Sequence, residues 1–169
     1  MKLSNLICIV VIILTACATP AKERPADFGL HYEWDTGPLP PEYHYHLTID
    51  VQVDGNGTFA YYSGYGEQGT EPDYEQSFVF GVAELDALYK EAVKDDLLRK
   101  SWQSGELLIG GSSAFVQIVA DGKRFRSPSS AEMKTADRQA LENFATVLYG
   151  FIPVEIWQEM ERLQAAREE

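Results

Sequence analysis

Apolar and polar residues alternate from the first ordered stretch of the chain. Phe28, Leu30, Tyr32 and Trp34 are separated by Gly29, His31, Glu33 and Asp35, a period of two that predicts a strand with one buried face. Thr36 to Pro41 holds three prolines, which cannot donate to a sheet ladder, so it reads as a loop. A second strand is expected over 43–53. Tyr45, Leu47, Ile49, Val51 and Val53 take the buried face, and His44, His46, Thr48, Asp50 and Gln52 the wet one. Asp54-Gly55-Asn56-Gly57 supplies residues that tolerate the positive φ of a hairpin turn. The chain returns over 58–65, crosses a glycine-rich acidic loop over 64–73, and forms a fourth strand over 74–80. Beyond Gly81 the period changes. Val82, Leu85, Tyr89, Ala92, Val93 and Leu97 fall three and four apart, the stripe of an amphipathic helix. After an irregular stretch and Gly110-Gly111, a strand over 114–120 turns at Asp121-Gly122 and pairs back over 123–126. Two helices close the chain, with stripes Leu141, Phe144, Ala145, Leu148 and then Ile156, Trp157, Met160, Leu163.

Hairpin strands with helices grouped apart from them give an α+β domain. The expectation is a single antiparallel sheet of about six strands, with three helices mainly on one face. Leu47, Ile49, Phe78, Leu85, Tyr89 and Phe144 should share its core.

The first seventeen residues follow a different pattern. Lys2 precedes an apolar run from Leu6 to Leu14, followed by Thr15-Ala16-Cys17. The run is too short to span a bilayer, which takes about 20 apolar residues, and has the length of a secretory signal core. Its end resembles the lipobox of bacterial lipoproteins. That resemblance implies cleavage after Ala16, acylation of Cys17, and attachment to the membrane through the lipid. Ala18 in place of the Asp often found in retained lipoproteins implies an outer-membrane address if the source is Gram-negative. The chain then divides into a signal peptide (1–16), a lipidated N-terminus and tether (17–27) and one domain (28–169).

Composition narrows the chemistry. The formal net charge is −12 and becomes more negative when Lys2 leaves, which opposes binding to nucleic acid or to an anionic membrane surface. Cys8 would leave with the signal and Cys17 would be acylated. No thiol then remains for a disulfide, cysteine catalysis or a cysteine-based zinc site. No nucleotide loop or complete metal-ligand set is visible, and no cofactor is expected.

The stretch from Thr36-Gly37-Pro38-Leu39-Pro40-Pro41-Glu42-Tyr43-His44-Tyr45 through Leu85-Asp86-Ala87-Leu88-Tyr89 and Trp102 to Gly110-Gly111-Ser112-Ser113 and Asp121-Gly122-Lys123 resembles an uncharacterised family of secreted or lipid-anchored bacterial proteins. That family has no assigned activity, so the resemblance implies a fold and no catalytic residue. The order of elements is also loosely similar to small protease inhibitors of mixed sheet-and-helix build.

Three constellations remain as candidate sites. His44 and His46, two apart on a strand, project to one side and could share a metal, although a zinc site needs a third ligand from His31 or another strand; Asp50 lies too far along the same strand. Gly110-Gly111-Ser112-Ser113 could hold an oxyanion beside a serine nucleophile, with His44, His46 or His31 as base. The loop at Pro40 and Pro41, flanked by Trp34, Tyr43 and Tyr45, could present a proline and aromatic surface to a partner. Trp34, Pro40, Pro41, Tyr43, His44, Tyr45 and His46 are therefore the expected binding residues. The favoured function is a non-enzymatic binding or accessory module for an envelope protein or polymer. The alternatives are an inhibitor of an envelope protease and a metal-dependent or serine hydrolase using His44, His46 and Ser112.

Overall fold

A computed structural model describes residues 23–65, 71–99 and 101–167. The signal segment and Cys17 lie outside the described residues. Six strands, β1 (Gly29–Asp35), β2 (Tyr45–Val51), β3 (Asn56–Ser63), β4 (Tyr74–Val79), β5 (Ser113–Ala120) and β6 (Lys123–Arg126), form one antiparallel sheet in the order β4-β3-β2-β1-β5-β6. Three helices, α1 (Val82–Lys94), α2 (Thr135–Gly150) and α3 (Val154–Ala165), complete the α+β domain. A short 3-10 turn, Ser130–Glu132, precedes α2.

Register follows the alternation. Tyr32 sits between Ile49 and Val116, and Leu30 between Val51 and Ile118. With Leu47, Phe59 and Tyr61 these side chains make one buried face. The helices cover it with Leu85, Leu88, Tyr89 and Ala92 from α1, Leu141, Phe144, Ala145 and Leu148 from α2, and Ile156 and Met160 from α3. Edge-on ring pairs join the layers, Phe28 to Tyr89 at 5.5 Å and Phe59 to Trp157 at 5.3 Å. Such contacts add about 0.5–1.5 kcal/mol each beyond the area they bury.

Several boundaries differ from the sequence pattern, for local reasons. β2 is shorter than 43–53, because the N–H groups of Tyr43 and His44 both turn back to the Pro40 carbonyl, at 2.9 and 3.0 Å. Gln52 and Val53 are exposed past its other end. In α1, Val82 and Val93 face solvent and Leu88 joins the core instead. Leu97 is buried beyond the helix end. Asp96 adopts φ 53°, its N–H meets the Val93 carbonyl, and the Leu97 N–H reaches the Ala92 carbonyl. This Schellman closure folds Leu97 back onto the core. The N-terminus of α1 is closed by Glu84, whose carboxylate accepts from the Gly81 N–H at 2.7 Å. Phe78, on edge strand β4, is only partly buried. Pro153 caps α3 from just outside its first turn.

Candidate functional site

The two ends of the sheet are built differently. At one end the segment leading into β1 is strapped down. The Asp27 carboxylate accepts from the backbone N–H groups of Asp121 and Gly122 at 2.9 and 2.6 Å, and the Gly122 bond holds its carboxyl below the usual range. Arg24 pairs with Asp86 of α1 at 2.8 Å. The chain from the N-terminal side therefore joins the domain at the β5–β6 hairpin. At the other end β1 finishes, β2 begins, β3 finishes and β5 begins, so loops 36–44 and 101–112 and the turn after β3 gather there. Seven strand residues separate the two ends, roughly 20 Å at 3.3 Å per residue.

The proline loop is pinned across this far end. Gly37 takes φ +81°, and a side chain there would run into the Gly111 carbonyl, so the two loops lie directly against each other. The Gly37 N–H donates to Asp35 Oδ1 at 2.5 Å, and the Thr36 hydroxyl donates to the Tyr45 carbonyl at 3.1 Å. His44 acts as the clasp. It is 4% exposed; its Nδ1 lies 2.8 Å from the Gly64 carbonyl and its Nε2 3.0 Å from Asp35 Oδ2. The ring stacks on Tyr65 at 3.8 Å, and the Tyr65 hydroxyl donates to the Leu39 carbonyl at 2.6 Å. What this scaffold presents is apolar: Leu39, Tyr43 and Tyr65 on one side, and Leu107, Leu108 and Ile109 on the neighbouring loop, with Ile109 95% exposed. Clustered exposed apolar side chains mark interaction surfaces.

The seven expected binding residues divide four ways. Pro40, Pro41 and Tyr43 are exposed on the loop. Trp34 and Tyr45 turn to the helix side, half-buried and 5.3 Å apart. His44 is the buried clasp, and His46 lies on the open face, flat against Tyr62 at 4.4 Å and 4°. The two histidines thus have different surroundings: His44 precedes β2 and is enclosed by the loop end, and His46 stands in the strand itself. Among the described residues no three His, Cys, Asp or Glu side chains gather as a metal ion would require.

The open face carries paired charge. His31 Nδ1 lies 2.9 Å from Asp50 Oδ1, and its Nε2 lies 3.9 Å from Glu33. The bond to Asp50, supported by Glu33, pushes the His31 imidazole up to about 9. His31 in turn holds the Glu33 carboxyl below its usual range. Burial lowers His46. Arg126 covers the Phe115 ring at 4.8 Å.

Ser112 opens to the opposite side, into a cleft of about 250 Å³ between the β1–β5 end and α2. Tyr32, Trp34 and Tyr149 wall it, and Arg138 and Glu142 rim it; no histidine lines it. The Tyr149 hydroxyl donates to that of Tyr32 at 3.0 Å. Burial pushes the Tyr149 phenol up to about 12 and Tyr32 further still. Arg138 spends two of its N–H groups on the Ser130 and Met133 carbonyls, fastening the 3-10 turn. Among the described residues no histidine or carboxylate hydrogen-bonds the Ser112 hydroxyl, as the base of a serine nucleophile would.

Sequence reasoning passed over Tyr65, Leu107, Leu108 and Ile109. A signal was there in the last three, an apolar trio with no helical or strand period, closed by two glycines. Compared with protein-family models and with curated proteins, the chain matches none.

Proposed function

We propose that this is an envelope lipoprotein, held to the membrane through acylated Cys17, whose loop end grips a partner protein or polymer without chemistry of its own. The observation that carries the reading is polarity along the sheet. The segment from the N-terminal side is strapped to the β5–β6 end, and the exposed apolar loops stand at the other. An anchored domain of this build directs its loops away from the bilayer. In a Gram-negative source, Ala18 favours the outer membrane. The lipid supplies membrane contact, and the acidic surface keeps the domain off anionic headgroups.

The proline loop also suits a second reading, inhibition of an envelope protease. An inhibitory loop must be exposed yet held, and loop 36–44 is fixed by Gly37 against Gly111 and by the His44–Tyr65 clasp. A panel of envelope proteases assayed with the purified protein separates the two readings.

The test is affinity capture. Tagged full-length protein, expressed in a bacterial host and extracted in mild detergent, is compared with the triple variant Leu39→Ser, Tyr43→Ser, Ile109→Ser. These side chains are exposed, so the variant should keep its unfolding midpoint. A partner recovered with the wild type and lost with the variant is the expected result. Equal recovery by both removes the loop end as the site.

A further inference from the structure

The sheet has two open edges, and they are built differently. β6 is four residues long and three of them are cations, Lys123, Arg124 and Arg126. A short, charged edge is guarded against strand addition. β4 is six residues long and carries one charge, Glu75. The Phe80 N–H meets the Gly55 carbonyl at 2.8 Å. Bonded and non-bonded pairs alternate along an antiparallel ladder, so Phe78 and Gln76 also bond to β3, opposite Gly57 and Phe59. Glu75, Ser77 and Val79 therefore turn their N–H and C=O groups outward. All three residues are exposed, Val79 by 71%. Among the described residues these outward groups meet one partner, the Gln76 side-chain amide, which donates to the Ser77 carbonyl at 2.9 Å from within the same strand.

The charge along this edge has one sign. Glu71, Asp73 and Glu75 are exposed, and no Lys or Arg stands between 71 and 79. On the helix side Tyr74 and Phe78 are partly buried. A strand that fits the edge puts apolar side chains beside Tyr74 and Phe78, and a Lys or Arg beside Glu75 on the open face. We infer that β4 takes up an extended, basic segment of a partner polypeptide as a further strand of the sheet. A second copy is a poorer occupant. β4 against β4 would bring two sets of carboxylates together. The basic β6 of a second copy matches in charge, but sheet twist of about 20–25° per strand, summed over the sheet, would turn that copy's tethered end away from a shared membrane. The inference rests on the loop-end reading, because β4 starts at that end, where Tyr74 pairs with Tyr61. It adds a backbone hold along the edge.

The probe is acetyl-Val-Lys-Val-Lys-Val-Lys-Val-amide, titrated into detergent-solubilised full-length protein, with amide hydrogen exchange read by NMR. With free peptide at about ten times its Kd, the Glu75, Ser77 and Val79 amides should exchange about tenfold more slowly, while Arg124 and Arg126 on the other edge stay unchanged. The same peptide methylated at its lysine backbone nitrogens keeps every charge and loses the donors that face β4. It should bind at least about tenfold more weakly. Ser77→Pro removes one outward donor, Glu75→Lys reverses the charge, and each should weaken the peptide about fivefold. The methylated peptide uses wild-type protein, so that comparison holds even where the proline variant fails to fold. No binding at millimolar peptide, equal binding of the methylated peptide, or protection at Arg124 and Arg126 instead would each overturn the inference. Protection of the β4 amides that grows with protein concentration in the absence of peptide would give the edge to a second copy and overturn it too. Partner capture by the loop end is scored separately with the Leu39, Tyr43 and Ile109 variant, so capture without edge protection refutes strand addition and leaves the wider reading standing.

Discussion

His31 makes the stability of the domain depend on alkaline pH. Its imidazole is raised from 6.5 to about 9 by Asp50 and then Glu33. Between those values the folded protein keeps a proton that the unfolded chain has lost. The stabilisation is therefore complete below pH 6.5 and disappears as pH rises through about 9. Carried over in full, the shift corresponds to about 3.4 kcal/mol at about 1.4 kcal/mol per pH unit. The His31 and Asp50 side chains are 32% and 41% exposed, and solvent screens such pairs heavily, so about 1 kcal/mol is the expected effect. Urea unfolding followed by tryptophan fluorescence, at pH 6 and pH 9.5, measures it. Wild type should lose about 1 kcal/mol more across this interval than His31→Gln, which can still bond Asp50 but does not titrate. Lysines and tyrosines titrate equally in both proteins and cancel. Molar salt, with a Debye length near 3 Å, should shrink the difference. Parallel stability profiles for the two proteins would refute the cluster as described.

His46 has the opposite sign. Burial lowers it, so stability should fall as pH drops below 6.5, and His46→Gln should remove that acid-side loss from the same unfolding series. Leu47 is 3% exposed on the covered face, and Leu47→Ala should cost about 2–5 kcal/mol in urea unfolding; a loss below about 0.5 kcal/mol, typical of surface changes, would reject the assignment of faces. Metabolic labelling with a fatty-acid analogue should mark wild type and not Cys17→Ala, with the variant released from membranes; equal, poor labelling of both would remove the anchor.

The sheet was legible because its faces differ. Strand β2, which pairs on both sides, alternates cleanly at Leu47, Ile49 and Val51, and a one-residue slip would expose that whole set. Edge strand β4 is less well determined, and there Phe78 is half-buried where full burial was expected. The α1 stripe misassigned Val82 and Val93 because both lie on the flank of the face centred on Leu85, Leu88, Tyr89 and Ala92, where spacing alone does not fix burial. The site was less legible than the fold. Alternation put His44 and His46 together on the wet face of one strand; His46 is there, but His44 precedes β2 and is buried, and alternation carries no information about Tyr65, which covers it from the turn after β3. The pairing of loops 36–44 and 101–112 is likewise a long-range fact, set by sheet order, which places β5 beside β1.

The proposed function is directional, with the loop end and not the strapped end turned to the partner. A photo-crosslinking amino acid placed in living cells at Tyr43 or Ile109, against Lys123 on the exposed β5–β6 hairpin, tests it directly. A discrete higher-mass adduct is expected from Tyr43 and Ile109 and none from Lys123. Adducts arising from Lys123 alone would contradict it.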